Sequence, residues 1–181
     1  SLARMVRGFD DIAKTSVKLG VGVEALQEMQ FAAELAGISV GTFNMALQRM
    51  RRRLGEAAMG AGEALKAIQQ LGLDPQTLGA MGAGEQLRIL ADALTGVEDP
   101  ANRLALAFKF FDSEGVVMLN ILDRGAAGLD AMAAQANRMG VVMSGQTIKS
   151  METFNETLTL IGQNIKGQFI EAIEDSMGSI D

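Results

Sequence analysis

Only two prolines occur in 181 residues, and each directly follows an aspartate, at Asp74-Pro75 and Asp99-Pro100. Proline lacks an N–H and fixes φ, so it breaks a helix interior or a central strand but is tolerated at the first helical position. The aspartate before it supplies a carboxylate for the free N–H groups of the first turn. Both prolines therefore mark helix starts, and the rest of the chain is free of the strongest helix breaker. The stretch 71–122, LGLDPQTLGAMGAGEQLRILADALTGVEDPANRLALAFKFFDSEGVVMLNIL, holds both pairs. It reads as short amphipathic helices joined by tight turns, around which the remaining chain is expected to organise.

Composition agrees. The chain is 48% hydrophobic, drawn from Ala, Leu, Ile, Val, twelve Met and eight Phe, with no Tyr, Trp, Cys or His. Most of these residues favour helix, and β-formers are sparse. The expected fold is all-α, a multi-helix bundle of short helices with one longer C-terminal helix. A single helical domain over 1–181 is expected, with a short-helix core at 19–143 and the long helix at 144–175. Ser1 in place of Met suggests a processed chain or a piece of a longer one.

Residues 1–19 read as a short mixed helix with Val6, Phe9 and Ile12 as its apolar edge, broken by Gly20 and Gly22. Residues 23–36 form a clear helix with Ala25, Leu26, Met29, Ala32, Ala33 and Ala36 on one side, Phe31 and Leu35 as a smaller second pair, and Gly37 as its stop. Ser39 caps the next helix, about 40–59, whose seam is Phe43, Ala46, Leu47, Met50, Leu54 and Ala57. Phe43 and Met50 are core anchors there. Short helices follow at 63–71, at 74 onward around Leu78, and around Leu87, Leu90 and Leu94, the last stopped by Gly96. The run from Gly79 to Gly84 reads as small and flexible. Asp99-Pro100 opens a helix with Leu104, Ala107, Phe108 and Phe111 inward, Phe108 and Phe111 serving as anchors. Ser113 caps a short helix with Met118, Ile121 and Leu122 inward, and Gly125 ends it before a looser helix over 126–139. Ser144 caps the last helix. There Met151, Phe154, Leu158, Ile161 and Ile165 repeat at alternating spacings of 3 and 4, so Phe154, Leu158 and Ile161 read as core anchors. The seam breaks at Gln168 and drifts to Phe169, Ile173 and Met177, leaving an acidic end at Glu171, Glu174 and Asp175 that the helix dipole does not favour.

Nothing in this pattern assembles a catalytic set. Without His and Cys the commonest general base, thiol nucleophile and zinc ligands are missing. Asp10-Asp11 and Glu171/Glu174/Asp175 are the nearest acidic groups, and solvated helix ends explain them. No Ser-x-x-Lys occurs near Ser144, Lys149 and Ser150. The 79–84 run is no phosphate loop, since no strand precedes it and no Lys follows. No cofactor or metal is expected. A formal charge of −6 disfavours general nucleic-acid binding. Arg49, Arg51, Arg52 and Arg53 form the one basic cluster. They read either as a solvated wrap around the helix seam or as a contact for an acidic partner, and a DNA-reading patch is disfavoured because no aromatic interleaves them. The methionines, among them Met29, Met50, Met118, Met151 and Met177, read as core filling or as an adaptable partner surface. No run of roughly 18 apolar residues is present, so a simple membrane span is not expected. No secretory signal pattern is read.

Four pieces stand in a recognisable order: LGVGVEALQEMQFAAELAGIS (19–39) with ALQRMRRRL (46–54); ALKAIQQLGLDPQTL (64–78) with EQLRILADAL (85–94); DPANRLALAFKFFDSEGVVMLNILDRGAAGL (99–129); and ANRMGVVMS (136–144) with FNETLTLI (154–161). This order resembles the tape measure proteins of long-tailed phages and prophages, over roughly 19–165. Relatives often carry a Phe-Gly pair before the next turn, whereas this chain has Phe110-Phe111-Asp112-Ser113-Glu114-Gly115, which leaves the turn geometry open. The resemblance implies a helical region of a long, non-enzymatic chain that fills the lumen of a growing tail tube, sets its length and leaves ahead of the DNA. It implies tail tube protein, tail-tip proteins and tail assembly chaperones as partners, residence in the virion tail lumen, and residence in the host cytoplasm during assembly. A homo-oligomer and host membrane contact stay open, and no sequence-specific nucleic acid is expected. Two other readings remain: a membrane-interacting helical module aiding DNA passage through the host envelope, and a helical assembly scaffold unrelated to phage. A small carboxylate enzyme using Glu171 and Glu174 is the third.

Overall fold

A computed structural model describes residues 2–178, with side chains described for 8–154, 156–168 and 171. The expectations for the side chains of Val6, Phe169, Ile173, Glu174, Asp175 and Met177 lie outside the described residues. Every regular element among the described residues is helical. In chain order they are α1 (Leu2–Leu19), α2 (Val23–Leu35), α3 (Val40–Ala58), α4 (Ala64–Gln70), α5 (Pro75–Ala80), α6 (Ala83–Thr95), α7 (Pro100–Phe111), a 3-10 turn (Asp112–Glu114), α8 (Gly115–Leu122), α9 (Gly125–Arg138) and α10 (Gly145–Gly178).

Four of the five expected caps lie where the sequence places them; Ser113 does not cap α8, because it lies within the 3-10 turn and its hydroxyl meets Arg49 and Glu114 instead of a first-turn amide. Asp74 Oδ1 accepts from the Thr77 N–H at 2.7 Å. Asp99 Oδ1 accepts from the Ala101 and Asn102 amides at 2.7 and 3.0 Å. Ser39 and Ser144 accept from Thr42 and Thr147, each at 3.1 Å. Gly37, at φ +77, ends α2. The turn it makes lets the Ile38 and Gly37 amides reach back to the carbonyls of Ala33 and Glu34 at 2.8 and 3.0 Å.

The centre of the molecule is α3, not the 71–122 stretch. Phe43, Ala46, Leu47, Met50, Leu54 and Ala57 are all fully buried. Around them pack α1, α2, α4, α5, α7 and α8. A nineteen-residue helix offers a longer apolar face than any helix of the 71–122 stretch, so the shorter helices lean on it. One of them comes unusually close. A Cβ added to Gly79 of α5 would lie 2.5 Å from the Ala58 Cβ and 3.3 Å from the Leu54 carbonyl oxygen. The run 79–84 is therefore not a flexible loop. It is the end of α5, a two-residue joint and the start of α6, and its first glycine is a contact point against α3.

In α7 the buried face is Leu106, Ala107, Phe110 and Phe111. Phe111 is a core anchor as expected. Phe108 is 40% exposed and is not one. The helix is turned by nearly one residue step from the expected face, because Phe110 takes the interior position. Its ring meets that of Phe111 edge to face, with centroids 6.3 Å apart. Two of three neighbouring phenylalanines fit inside, and the third is left at the surface.

The turn after α7 takes the conformation of a glycine without having one. Asp112 lies at φ +60, ψ −138, and no other described non-glycine residue has positive φ. Such a position costs a side-chain-bearing residue about 1–3 kcal/mol. Two contacts hold it: α8 begins with Gly115, whose added Cβ would lie 2.9 Å from the Phe108 amide nitrogen, and Arg53 Nη2 lies 3.2 Å from Asp112 Oδ2. Because Asp112 is half-exposed, that ion pair returns less than about 1 kcal/mol. Asp112→Gly is thus expected to be at least as stable as the parent chain and about 1–2 kcal/mol more stable than Asp112→Ala. Urea unfolding of the three proteins checks this, and an alanine variant equal to the glycine variant would show that the turn carries no strain.

Candidate interaction surfaces

The arginine row of α3 lies against its own chain. Arg49 bonds Ser113 Oγ at 2.8 Å and pairs with Glu114. Arg51 donates to the Met81 carbonyl at 3.0 Å and to Gln86 Oε1 at 2.9 Å. Arg53 is buried, donates to the Lys109 carbonyl at 3.0 Å and to Glu63 at 3.2 Å, and meets Asp112. Its Nε has no hydrogen-bond partner. Arg52 differs: it is exposed and pairs with Glu56 one turn along its own helix. Helical spacing sends the four guanidinium groups in different directions, so Arg49 and Arg53 grip the turn after α7 while Arg51 ties the α5–α6 joint. Arg52 alone fits the solvated reading.

Arg53→Ala removes a buried donor from a helix carbonyl and from two carboxylates. It is expected to lower stability by about 1–3 kcal/mol, against under about 0.5 kcal/mol for Arg52→Ala. Thermal unfolding of both variants decides it, and equal losses would mean that Arg53 contributes as an exposed arginine does.

A second polar cluster fixes the start of α10. Gln27 of α2 donates to the Met143 carbonyl at 2.8 Å and accepts from the Met143 amide at 3.0 Å. Glu24, one turn earlier, accepts from the Gly145 amide at 2.8 Å. In the same manner Asp92 of α6 accepts from the Ala126 amide at 2.7 Å and caps α9. These caps come from distant parts of the chain, and no local motif announces them.

Beyond its first turn α10 leaves the core. Ile148 is buried and Met151 half-buried, whereas Phe154, Leu158, Ile161 and Ile165 are 49, 41, 49 and 61% exposed. The expected anchors Phe154, Leu158 and Ile161 are therefore not core residues. A 34-residue helix is about 50 Å long and outreaches the helices it starts beside. Among the described residues α1 is its main neighbour, and it leaves Phe154, Leu158, Ile161 and Ile165 largely in water. Glu171 is exposed, and no group of His, Cys, Asp or Glu suited to a metal ion occurs among the described residues. Asp10 is held by Lys14 in an i,i+4 pair. No helix among them is long and apolar enough to cross a membrane.

Of the methionines read as core or partner surface, Met50 and Met118 are fully buried and Met29 packs against the core. Met29 also floors a cleft of about 450 Å³ between α2, α6 and α9, with Leu87 and Leu129 beside it. The Arg88–Asp130 ion pair lies at this cleft, with Arg88 Nη2 donating to Asp130 Oδ2 at 2.7 Å.

Three carboxyls are held below their ordinary range. A hydrogen bond from the Gly145 amide does this for Glu24, usually 4.5. The Arg53 guanidinium does it for Glu63, also usually 4.5. For Asp74, usually 3.8, the hydrogen bond from the Thr77 side chain leads, followed by that from its amide. Each binds a proton less readily folded than unfolded. Its contribution is complete above the unfolded value and is lost as pH falls through the folded one. With neither His nor Cys, no side chain titrates at its ordinary value between about pH 5 and 9. The unfolding midpoint is therefore expected to be level from about pH 6 to 8 and to fall below about 4.5. A clear drop between pH 8 and 6 would contradict this.

These features define an all-α protein in which Arg49, Arg51 and Arg53 and the long-range caps bind groups of the same chain, and whose long last helix carries an apolar seam in water. Comparison with protein-family models, with curated proteins and with solved structures finds no match to the chain.

Proposed function

We propose that this chain is a structural, non-enzymatic helical region of a long-tailed phage or prophage tail, of the tape measure type. What supports the reading in the sequence is the ordered set of pieces over 19–165. In the structure, one observation carries it furthest: a helical core with a 34-residue helix projecting from it, apolar along one face. A helix of that kind suits a chain that lies lengthwise beside others in a narrow tube. On this reading the partners are tail tube protein, tail-tip proteins and tail assembly chaperones, met in the host cytoplasm during assembly and then in the tail lumen.

The test is an in-frame deletion of the segment from its gene in the phage or prophage, with tails measured by electron microscopy. Stretched out as one helix, 181 residues would span up to about 270 Å. With α1–α9 packed as they are, the contribution to length is closer to the roughly 50 Å of α10. Tails shorter by the smaller amount fit a folded core with an extended arm, and those shorter by the larger amount mean that the core opens along the tube. Normal-length tails that fail to infect place the segment in docking or ejection. Normal, infectious tails overturn the reading.

A further inference from the structure

We infer that Asp112-Ser113 is a self-modification site, where the turn after α7 holds the aspartate ready to close to a succinimide and reopen as isoaspartate. The inference does not rest on the tail reading. It starts from neighbours in sequence. The main-chain nitrogen that follows an Asp or Asn reaches its side chain most easily when the next residue is small, as Gly or Ser is. Neither Asp nor Asn is followed by Gly in this chain, and Asn is never followed by Ser. Asp is followed by Ser twice, at Asp112-Ser113 and Asp175-Ser176. The two pairs share their chemistry and differ in backbone.

Ring closure needs five atoms near one plane: the serine nitrogen with the carbonyl carbon, Cα, Cβ and Cγ of the aspartate. The serine nitrogen must therefore eclipse Cβ about the Cα–C bond. In an L residue Cβ sits about 120° behind the residue's own nitrogen around that bond, so the eclipse requires ψ near about −120°. Ordinary backbone is far from it. Helical ψ leaves the nitrogen about 80° away, and extended ψ about 105°. Asp112 lies at φ 60, ψ −138, which leaves the Ser113 nitrogen only about 18° from Cβ. Asp175 lies within α10 and has the helical value instead.

The turn is held in this shape and is open to water. The Asp112 amide donates to the Phe108 carbonyl. Gly115 packs against the Phe108 amide. Arg49 donates to Ser113 Oγ at 2.8 Å. The Asp112 side chain is 49% exposed, and its pair with Arg53 Nη2, at 3.2 Å, is of the weak, solvated kind. Ser113 stands in the first turn of the 3-10 helix, where N–H groups have no partner within the helix. Leaving Arg53 and turning about Cα–Cβ are the adjustments that remain.

In the reaction the Ser113 nitrogen adds to Cγ of the protonated carboxyl. The N–Cγ bond forms, the Cγ–O bond breaks, and the hydroxyl departs as water with the amide proton. Water then opens the imide. Addition at Cγ restores aspartate. Addition at the main-chain carbonyl gives isoaspartate, with the chain running through Cβ and a free α-carboxylate. No other reactant is needed. The product has one more carbon in its main chain, so the turn no longer requires positive φ of a side-chain-bearing residue.

The test is ageing of the full chain at about pH 5, folded and in concentrated urea, followed by peptide mapping with mass spectrometry. Succinimide reads as the loss of one water, and isoaspartate by its backbone fragmentation. In the folded chain Asp112 is expected to react at least about 10-fold faster than Asp175, since the turn already holds a backbone that an ordinary residue must climb to. In urea neither backbone is held, and the two sites are expected to agree within about 3-fold. Asp112→Glu, which would need a six-membered ring, is expected to lose the signal at position 112 and keep that at Asp175. Equal rates at the two sites in the folded chain overturn the inference. So does an Asp112 that reacts faster in urea than folded. A signal that survives in Asp112→Glu comes from Asp123, which shares the tryptic peptide, and overturns it too.

Discussion

The structure depends on removing one face of α3 from water. Phe43, Leu47, Met50 and Leu54 make too long a row for any one of the short helices to cover, and the chain meets them with helices from both sides of the sequence. Short helices contribute little stability of their own. What holds α4, α5 and α7 is contact with α3, which is why a glycine stands where α5 meets Ala58. The arginines follow from the same arrangement. A helix buried on one side and crowded on its flanks leaves little water for guanidinium groups, so half-buried Arg51 ends on the Met81 carbonyl and buried Arg53 on the Lys109 carbonyl and the Glu63 and Asp112 carboxylates.

Local chemistry was legible in the sequence. Asp74, Asp99, Ser39 and Ser144 each cap the helix they precede, because a cap needs only a short polar side chain and the next few amides. The face of α3 was equally plain, since its six apolar positions allow no other side. Contacts between distant segments were not legible. Three phenylalanines within four residues permit two faces for α7, and only the room beside α3 and α8 selects Phe110 over Phe108. The run 79–84 shows the same limit: small residues serve both a flexible loop and a close helix contact, and composition does not separate them.

The seam of α10 is the most instructive case. Its spacing correctly marked an apolar face. Periodicity reports that a face is apolar, not what covers it, and reading Phe154, Leu158 and Ile161 as interior assumed a neighbour within the same chain. The arginine row misled in the opposite sense. A basic cluster suggested either solvent or an outside partner, while the acceptors, Glu63, Glu114, the Met81 and Lys109 carbonyls and Gln86, were already in the chain at positions no local pattern ties to α3.

The root of α10 explains why the seam faces outward at all. An apolar contact through Ile148 alone would hold the helix near the core but leave it free to roll, since dispersion and burial are nearly indifferent to angle. Hydrogen bonds are directional. Gln27 takes both the amide and the carbonyl of Met143, and Glu24 takes the amide of Gly145, so two side chains one turn apart on α2 fix three backbone groups in sequence. That sets the rotation of the first turn, and a helix transmits rotation rigidly at 100° per residue. Once Ile148 is turned inward, Phe154, Leu158, Ile161 and Ile165 must lie to the side of the contact with α1. The polar bracket, rather than the apolar packing, thus determines which face the long helix shows to water.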